Sequence, residues 1–344
     1  MSSELISPLS VRSLLTTLNK RPTGHVYTAA RIDGWNNVYL AVDGAGHPYL
    51  MVETEDFLGA PMLRAAKVSF KPSQVLTVTV DGITSTGRIF HTLVCESSDQ
   101  SDVTYFLILI EAFIASRSGE AISGNDLATF FRHMVRLFAA KPTGDLESRR
   151  QGLWGELFVM RKVRGYRFWA HCWHGAVTGL FDFSAKRRHV EVKTALSDRR
   201  IHHFSHRQIW EEEGEQIIIA SLLLRGDTDG LSLRELINDC RVALRGTPDY
   251  LKLEFAVRYA GMDDDSIVGP QFDANRAEQE LLWFKAKDAP HFRVPEPSGV
   301  SETSYKVDLT KATPISTDEL FRWLDDWTAL PVTTVLSDGT CVPR

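Results

Sequence analysis

The sequence predicts a protein of the α/β (α+β) class, with a β-rich N-terminal module followed by a domain built on a central mixed β-sheet flanked by helices. Residues 25 to 96 hold six short segments rich in β-branched and aromatic residues, separated by turn residues. From residue 144 onwards, helical and extended patterns alternate. The segment "EQIIIASLLLR" is apolar on both faces, which is typical of a strand covered on both sides.

The N-terminal module is predicted element by element. Its strands are "HVYTAARI", "NVYLAV", "PYLMVE", "AKVSF", "VLTVTV" and "GRIFHTLVCE". A short amphipathic helix, "SVRSLLTTLNK", precedes them, and the helical patterns "DVTYFLILIEAFIASRS" and "NDLATFFRHMVRLFAAK" follow. We place the module at residues 1–118 and the second domain, with its C-terminal extension, at residues 119–344.

The α/β core of the second domain begins with the helical pattern "DLESRRQGLWGELFVMRKV". The strands "GLFDFS", "RHVEVKTA" and "EQIIIASLLLR", the helix "LSLRELINDCRVALRG" and a fourth strand, "YLKLEFAVRYA", come next. Beyond this core we predict a helix in "ANRAEQELLWFKAK", a strand in "SYKVDLT" and a helix in "STDELFRWLDDW". The order of helix, three strands, helix and strand predicts a mixed sheet flanked by helices.

Composition excludes several classes of protein. A chain of 344 residues with 43% hydrophobic and 24% charged residues is typical of a packed globular protein. The N-terminus has no basic region followed by an apolar core, and the run "YFLILIEAFIA" is short and contains Glu111. We therefore expect neither a secretory signal nor a membrane span. The four cysteines form no C-x-x-C pair, which argues against a disulfide framework and fits the cytoplasm.

The charge is unevenly distributed along the chain. The net charge of −5 argues against a protein that coats nucleic acid without specificity. Residues 183 to 210, however, hold seven Lys and Arg against two acidic residues, together with four histidines. This segment is therefore predicted to form a basic patch.

The stretch "LFDFSAKRRHVEVKTA" lies beside that patch and places three charges between apolar residues. Because side chains alternate along a strand, Asp182 points away from the two flanking phenylalanines, and Glu191 and Lys193 share one face. The connection "SAKRR" is short enough for a hairpin, which would bring Asp182 beside Glu191. Two close carboxylates repel each other unless a cation lies between them, and such ligands suit Mg²⁺ or Mn²⁺. The stretch predicts a metal site.

The preceding helix supplies a third carboxylate. Glu156 lies within an apolar stripe at helical spacing, whereas most helix glutamates face water. Gly152 and Gly155 would let another segment come close. Arg149 lies on the same face two turns earlier, as a partner of the carboxylate or as a phosphate contact.

These residues resemble a known superfamily. The order of Glu156 on a helix, Asp182 on a strand and "EVK" on the next strand resembles the PD-(D/E)xK nucleases, whose fold is the restriction-endonuclease-like core. The resemblance covers residues 144–262. The wider context "GLWGELFVMRKV", "FDF", "HVEVKTA" and "HHFSHRQIW" looks like the bacterial PD-(D/E)xK motif proteins of phage-defence and restriction-like gene clusters. Phe181 stands where the name-giving proline would be, a position that carries no ligand.

The resemblance implies roles for these residues. Asp182 and Glu191 would ligate a divalent metal together with the main-chain carbonyl of Val192. Glu156 would hold a second ion or a water, and Lys193 would orient or deprotonate the attacking water. Since an acid-x-Lys triplet is expected once or twice by chance in this composition, the context of the triplet carries the prediction.

Several neighbouring residues have two interpretations. Gln208 matches a glutamine that supports the active site in some PD-(D/E)xK nucleases, but Ser205-x-x-Gln208 is also a capping box. The histidines His202, His203 and His206 could contact phosphates or, with "HCWH", bind zinc, although no fourth ligand stands at a recognisable spacing. The basic residues predicted to contact DNA are Arg187, Arg188, Arg199, Arg200, His203 and Arg149; the arginines could equally be a solvated charged surface.

The sequence therefore predicts a Mg²⁺-dependent (or Mn²⁺-dependent) DNA endonuclease of bacterial phage defence or restriction. The alternative is a catalytically silent DNA-binding or assembly subunit with the same fold, because function resides in the site. RNA is a weaker alternative substrate. The expected partners are DNA and a motor ATPase or methyltransferase of the same gene cluster, with a homodimer as a further arrangement.

Overall fold

The computed structural model describes residues 11–18, 25–55, 59, 61–117, 121–139, 145–175, 179–247, 249–262, 264–328, 333–335 and 341–343. Internal contacts divide the chain into two units. The first unit comprises Met1–Thr143 and Arg245–Tyr259, and the second comprises Gly144–Leu244 and Ala260–Arg344. This division differs from the one predicted from the sequence, which placed residues 119–143 and 245–259 in the second domain.

The helices and strands follow one another through both units. The helices are α1 (Val11–Thr17), α2 (Gln100–Ser116), α3 (Gly124–Ala139), α4 (Leu146–Lys162), α5 (Tyr166–Ala170), α6 (Leu233–Leu244), α7 (Tyr250–Tyr259), α8 (Ala274–Gln279) and α9 (Thr317–Thr328). The strands are β1 (Val26–Arg31), β2 (Val38–Val42), β3 (Pro48–Glu53), β4 (Leu63–Arg64), β5 (Val68–Val80), β6 (Ile83–Cys95), β7 (Phe183–Ala185), β8 (Arg188–Ala195), β9 (Ile201–Ser205), β10 (Gln216–Leu223), β11 (Gly226–Ser232), β12 (Gln271–Phe272), β13 (Leu282–Lys285), β14 (Ser304–Asp308), β15 (Thr333–Val335) and β16 (Cys341–Pro343). The predicted α/β class is confirmed.

The first unit is built on a closed sheet. Its strands are ordered β1-β2-β3-β6-β5-β4, and β1 also pairs with β5 in parallel, so that five strands form a barrel. Where the sequence predicts two strands, β5 is continuous, because the register shifts around Ser73 and lets the strand pass Pro72. Alternate side chains fill the barrel or pack outside it against α1, α2 and α3.

The second unit contains the four-stranded sheet β13-β10-β8-β7. Strands β8 and β10 are parallel, and β7 and β13 are antiparallel to their neighbours, so the sheet is mixed as predicted. Helix α4 packs on one face of β8. Strands β9 and β14 form a ribbon, and the buried Phe204 and Val307 of this ribbon pack with Ile217 and Ile219 of β10. The central strand is covered on both faces, as its apolar sequence requires.

Two predicted elements are wrong. Residues 250–259 form helix α7 in the first unit instead of the fourth strand of the second sheet. The buried Leu253, Ala256 and Val257 follow helical spacing, which the apparent alternation of the segment concealed. The fourth strand is β13, which lies in a segment predicted to be entirely helical. Its short apolar run is buried against β10, and such a run cannot be distinguished from a buried helix by periodicity.

Among the residues described, no helix combines the length and the apolar character needed to cross a membrane.

The packing of α4 on β8 depends on one glycine. A Cβ atom at Gly155 would lie 2.5 Å from Thr194 Cγ2 and 3.4 Å from Val192 Cγ1, whereas a Cβ at Gly152 would meet nothing within 4 Å. Gly155 therefore allows the helix to lie directly on the strand.

We predict opposite effects for alanine at these two glycines. Gly155→Ala should lower the free energy of unfolding by about 1–3 kcal/mol, because the methyl group overpacks the contact with Thr194. Gly152→Ala is the matched control and should raise it by about 0.5–1 kcal/mol, since alanine is the better helix former. Urea unfolding of the three proteins measures both effects. Equal stabilisation by the two substitutions would contradict a close contact at Gly155.

Candidate active site

Asp182 is fixed at the start of a β-hairpin. Strands β7 and β8 pair antiparallel with Phe183 opposite Val190, which places Asp182 across the hairpin from Glu191. The main-chain N–H of Val192 donates to Asp182 Oδ2 at 2.7 Å. Since Phe183 and Val190 are fully buried, the hairpin holds this carboxylate in place.

Glu191 and Lys193 project from the same face of β8. Lys193 Nζ lies 2.7 Å from Glu191 Oε1 and 4.9 Å from the centroid of the Phe204 ring. Glu191 is only 3% exposed, and its Oε2 atom accepts no hydrogen bond from any group that the structure describes. A buried carboxylate oxygen without a donor is an atom that a bound cation would satisfy.

Gln208 forms hydrogen bonds with both members of this pair and with two main-chain groups beside them. Its amide nitrogen donates to Glu191 Oε1 at 2.7 Å and to the Leu180 carbonyl at 3.1 Å. Its amide oxygen accepts from Lys193 Nζ at 3.3 Å and from the Ser205 N–H at 3.1 Å. The capping bond and the contact with the carboxylate are therefore made by one side chain, and the two interpretations of this glutamine are compatible.

Glu156 reaches the hairpin from α4. The close contact at Gly155 brings this part of the helix onto β8. The indole N–H of the buried Trp173 donates to Glu156 Oε2 at 2.6 Å. A tryptophan thus holds this third carboxylate, which is close enough to Asp182 and Glu191 to interact with their charges.

The three carboxyl groups influence one another electrostatically. Burial raises the pKa of Asp182 to about 6, opposed by the Val192 N–H and by the charge of Lys193. Burial and then the charge of Asp182 raise the pKa of Glu191 to about 8. The same two causes raise the pKa of Glu156 well above its ordinary value. Without a cation, the site disfavours full ionisation of its acids.

The donor set fits a hard divalent cation. In the described parts of the chain, no three His, Cys, Asp or Glu side chains are grouped as a complete metal-binding cluster. Asp182 and Glu191 nevertheless supply carboxylate oxygens that repel each other, one of them buried without a donor. These two side chains and the Val192 carbonyl are the groups that could hold an ion, with Glu156 beside them.

Arg200 is placed as a structural residue and not as a phosphate contact. It is 5% exposed, and its guanidinium donates to the Ser221 carbonyl at 2.8 Å and to the Glu280 carboxylate at 2.9 Å. Arg200 directly precedes β9, and its hydrogen bonds join this end of β9 to Ser221 of β10. They also keep the guanidinium away from solvent. The expected DNA contact at this position is therefore replaced by an internal one.

The other predicted DNA contacts lie nearer the surface. Arg188 pairs with Asp326 at 3.2 Å, and Arg199 pairs with Asp308. Acidic residues distant in sequence thus offset part of the predicted basic patch. Arg187 is exposed at the turn between β7 and β8.

The two remaining members of the predicted DNA-contacting set lie on different elements. His203 is exposed on β9, opposite Lys306 of β14. Arg149 is half-buried near the start of α4.

The histidines of "HHFSH" do not converge. His202 Nε2 lies 2.7 Å from Ser221 Oγ. The ring nitrogens of the buried His206 lie 3.0 Å from the Tyr305 hydroxyl and 2.9 Å from the Val294 carbonyl. These contacts account for both rings as structural groups, so the geometry does not favour the zinc alternative.

Trp173 is the site residue that the sequence did not reveal. Its pattern, a tryptophan between "HC" and "HG", is that of an ordinary core residue. Only the three-dimensional contact with Glu156 distinguishes it from the other buried tryptophans.

A family comparison agrees with this geometry. The family described as "Putative PD-(D/E)XK family member, (DUF4420)" matches residues 12–310, which is most of the chain. The chain belongs to this family. Comparison with the curated proteins and with the solved structures found no match. The predicted likeness to the PD-(D/E)xK superfamily is confirmed, and the match includes the hairpin and α4 of this PD-(D/E)xK protein.

We predict that the metal-free protein loses stability as the pH rises. The pKa of Glu191 is about 8 in the folded state against 4.5 ordinarily, so the folded state holds this proton more tightly. The resulting stabilisation is complete below about pH 4.5 and is lost as the pH rises through about 8. Glu191 should contribute a loss on the order of 1–4 kcal/mol.

Glu191→Gln cannot ionise and should lack this part of the pH dependence. Urea unfolding in the presence of a chelator, between about pH 5 and about pH 9, compares the two proteins. Parallel pH profiles would show that Glu191 titrates normally in the folded protein.

Proposed function

We propose that the chain is a metal-dependent nuclease that hydrolyses phosphodiester bonds of DNA at the Asp182, Glu191 and Lys193 site. The observation that carries the proposal is the buried Glu191 carboxylate, with one oxygen bonded to Lys193 and Gln208 and the other without a donor. Membership of the PD-(D/E)xK family supports the same class of chemistry.

The residues of the site have separate tasks in this proposal. Asp182, Glu191 and the Val192 carbonyl would hold Mg²⁺ or Mn²⁺, and Glu156 would hold a second ion or orient a water. A divalent cation supplies positive charge at the scissile phosphate and makes water more acidic.

Lys193 brings a positive charge to the same point. Its amine orients or deprotonates the attacking water, and its positive charge offsets the negative charge that develops on the phosphate oxygens. The Gln208 amide keeps both Lys193 and Glu191 in position.

The substrate and setting are part of the proposal. DNA, phage defence and a partner motor ATPase or methyltransferase come from the narrower resemblance of "GLWGELFVMRKV" and "HVEVKTA" to defence-cluster proteins. Arg187, His203 and Arg149 are proposed as phosphate contacts. Incubation of the protein with plasmid DNA, phage DNA and RNA, with and without Mg²⁺ or Mn²⁺, tests the proposal. Absence of metal-dependent cleavage of any of these substrates would contradict it.

We predict that Mg²⁺ or Mn²⁺ stabilises the folded protein. An ion that binds only the folded state at about 100 times its Kd adds about 2.7 kcal/mol. Asp182→Asn should abolish the rise in melting temperature, because the amide can still accept the Val192 N–H but has lost its charge. Asp229→Asn, at an exposed position on β11, is the control and should keep the rise. Thermal unfolding with increasing metal concentration measures the effect, and equal shifts in Asp182→Asn and the wild type would argue against this metal site.

We predict that substitutions at Lys193 distinguish a nuclease from a catalytically silent subunit. Lys193→Ala should retain the fold and most DNA binding while slowing cleavage by about 10²–10⁴. Lys193→Arg should restore little activity, since its rigid guanidinium keeps the charge but cannot give up a proton. Lys311→Ala, at an exposed position beyond β14, is the control. If both Lys193 variants protect cells from phage as well as the wild type, the protein acts as a binding subunit.

A further inference from the structure

We propose that Trp173 is a positioning residue that holds the Glu156 carboxylate beside Asp182. This inference rests on the proposed function, because it assigns a task within the same site. Trp173 touches no substrate in this proposal and acts through Glu156.

The main chain around Trp173 is bound to Asp182 and to strand β7, which follows it. Trp173 and Phe183 form an antiparallel bridge. The His174 N–H donates to the Asp182 carbonyl at 2.9 Å, and the Ser184 N–H donates to the Cys172 carbonyl at 2.8 Å. The segment from Cys172 to His174 thus extends the sheet at the outer edge of β7 and is bonded to Asp182.

The side chain of Trp173 crosses from that edge to helix α4. Its ring is 1% exposed, and its N–H donates to Glu156 Oε2 at 2.6 Å. A hydrogen bond in such buried surroundings is strong and directional. One residue therefore links the helix that carries Glu156 to the hairpin that begins at Asp182.

The link has a consequence for the geometry of the site. A glutamate side chain has three rotatable bonds and would otherwise turn away from a neighbouring carboxylate that repels it. The indole N–H confines Glu156 Oε2 to one direction and leaves its second oxygen for an ion or a water. Partners that orient ligands in this way typically change metal affinity or activity by about 10- to 100-fold.

Trp173→Phe tests the inference, because it removes the N–H and keeps the main-chain bonds. Titration calorimetry with Mn²⁺ should show an affinity about 10-fold weaker than that of the wild type. In a Glu156→Gln background, Trp173→Phe should cause no further weakening, since the carboxylate on which it acts is already gone. The control is Trp154→Phe, which removes a buried N–H that donates to the Leu231 carbonyl at 2.9 Å and should leave Mn²⁺ affinity unchanged.

A second measurement keeps the test valid if Trp173→Phe does not fold. The indole N–H resonances of the wild-type protein are recorded by nuclear magnetic resonance with and without Mg²⁺, and again in Glu156→Gln. The Trp173 resonance should move in both comparisons, whereas that of Trp154 should stay in place. A Trp173 resonance whose chemical shift changes neither with Mg²⁺ nor in Glu156→Gln would overturn the inference.

The outcomes distinguish this inference from the proposed function. Mn²⁺ binding that depends on Trp173, in a wild-type protein that cleaves no nucleic acid, would support the positioning role and contradict the nuclease. Cleavage by the wild type with unchanged Mn²⁺ affinity in Trp173→Phe would overturn the positioning role alone. Equal weakening by Trp173→Phe in both backgrounds would also overturn it, and absence of Mn²⁺ binding by the wild type would overturn both.

Discussion

The direct packing of α4 on β8 is the constraint on which the candidate site depends. At Gly155, the backbone of the helix comes so close to the strand that a single methyl group would touch Thr194. Glu156, the next residue, lies close enough to Asp182 and Glu191 for their charges to raise its pKa. A larger residue at Gly155 would hold the helix farther away and separate the third carboxylate from the other two.

Grouping carboxylates in this way has an energetic cost in the absence of a cation. The acids are removed from water and face one another, which raises their pKa values. Lys193 and Gln208 offset part of this cost by contacting one oxygen of Glu191 and leave the other without a donor. A site that is destabilised by its own charges is typical of a place where function, and not stability, determines the residues.

The hairpin and its charged residues could be read directly from the sequence. Strand alternation placed Glu191 and Lys193 on one face, and the short turn placed Asp182 across the hairpin from Glu191. Both rules depend only on neighbouring residues. The status of Arg200 could not be predicted in this way, since its acceptor Glu280 is eighty residues away in the sequence.

The same limit explains the other differences. The contact of Trp173 with Glu156 joins two elements whose relative placement is set by packing. Helix α7 was predicted as a strand, and β13 was predicted as part of a helix. Both errors arose because short apolar segments take their conformation from the surface that buries them. Family membership requires none of these details, because it rests on the sequence pattern of residues 12–310.

The discontinuity of the first unit has a consequence for how the protein is made. Helix α7 begins only at Tyr250, yet Leu251 and Phe255 pack into the same apolar core as α2 and α3. During synthesis, that core remains incomplete until the ribosome has already produced α4, the β7–β8 hairpin and α6. Fragments that end near residue 143 would lack these two side chains and expose the apolar surface they cover. Cleavage between α6 and α7 would accordingly leave two pieces that each contribute residues to both units.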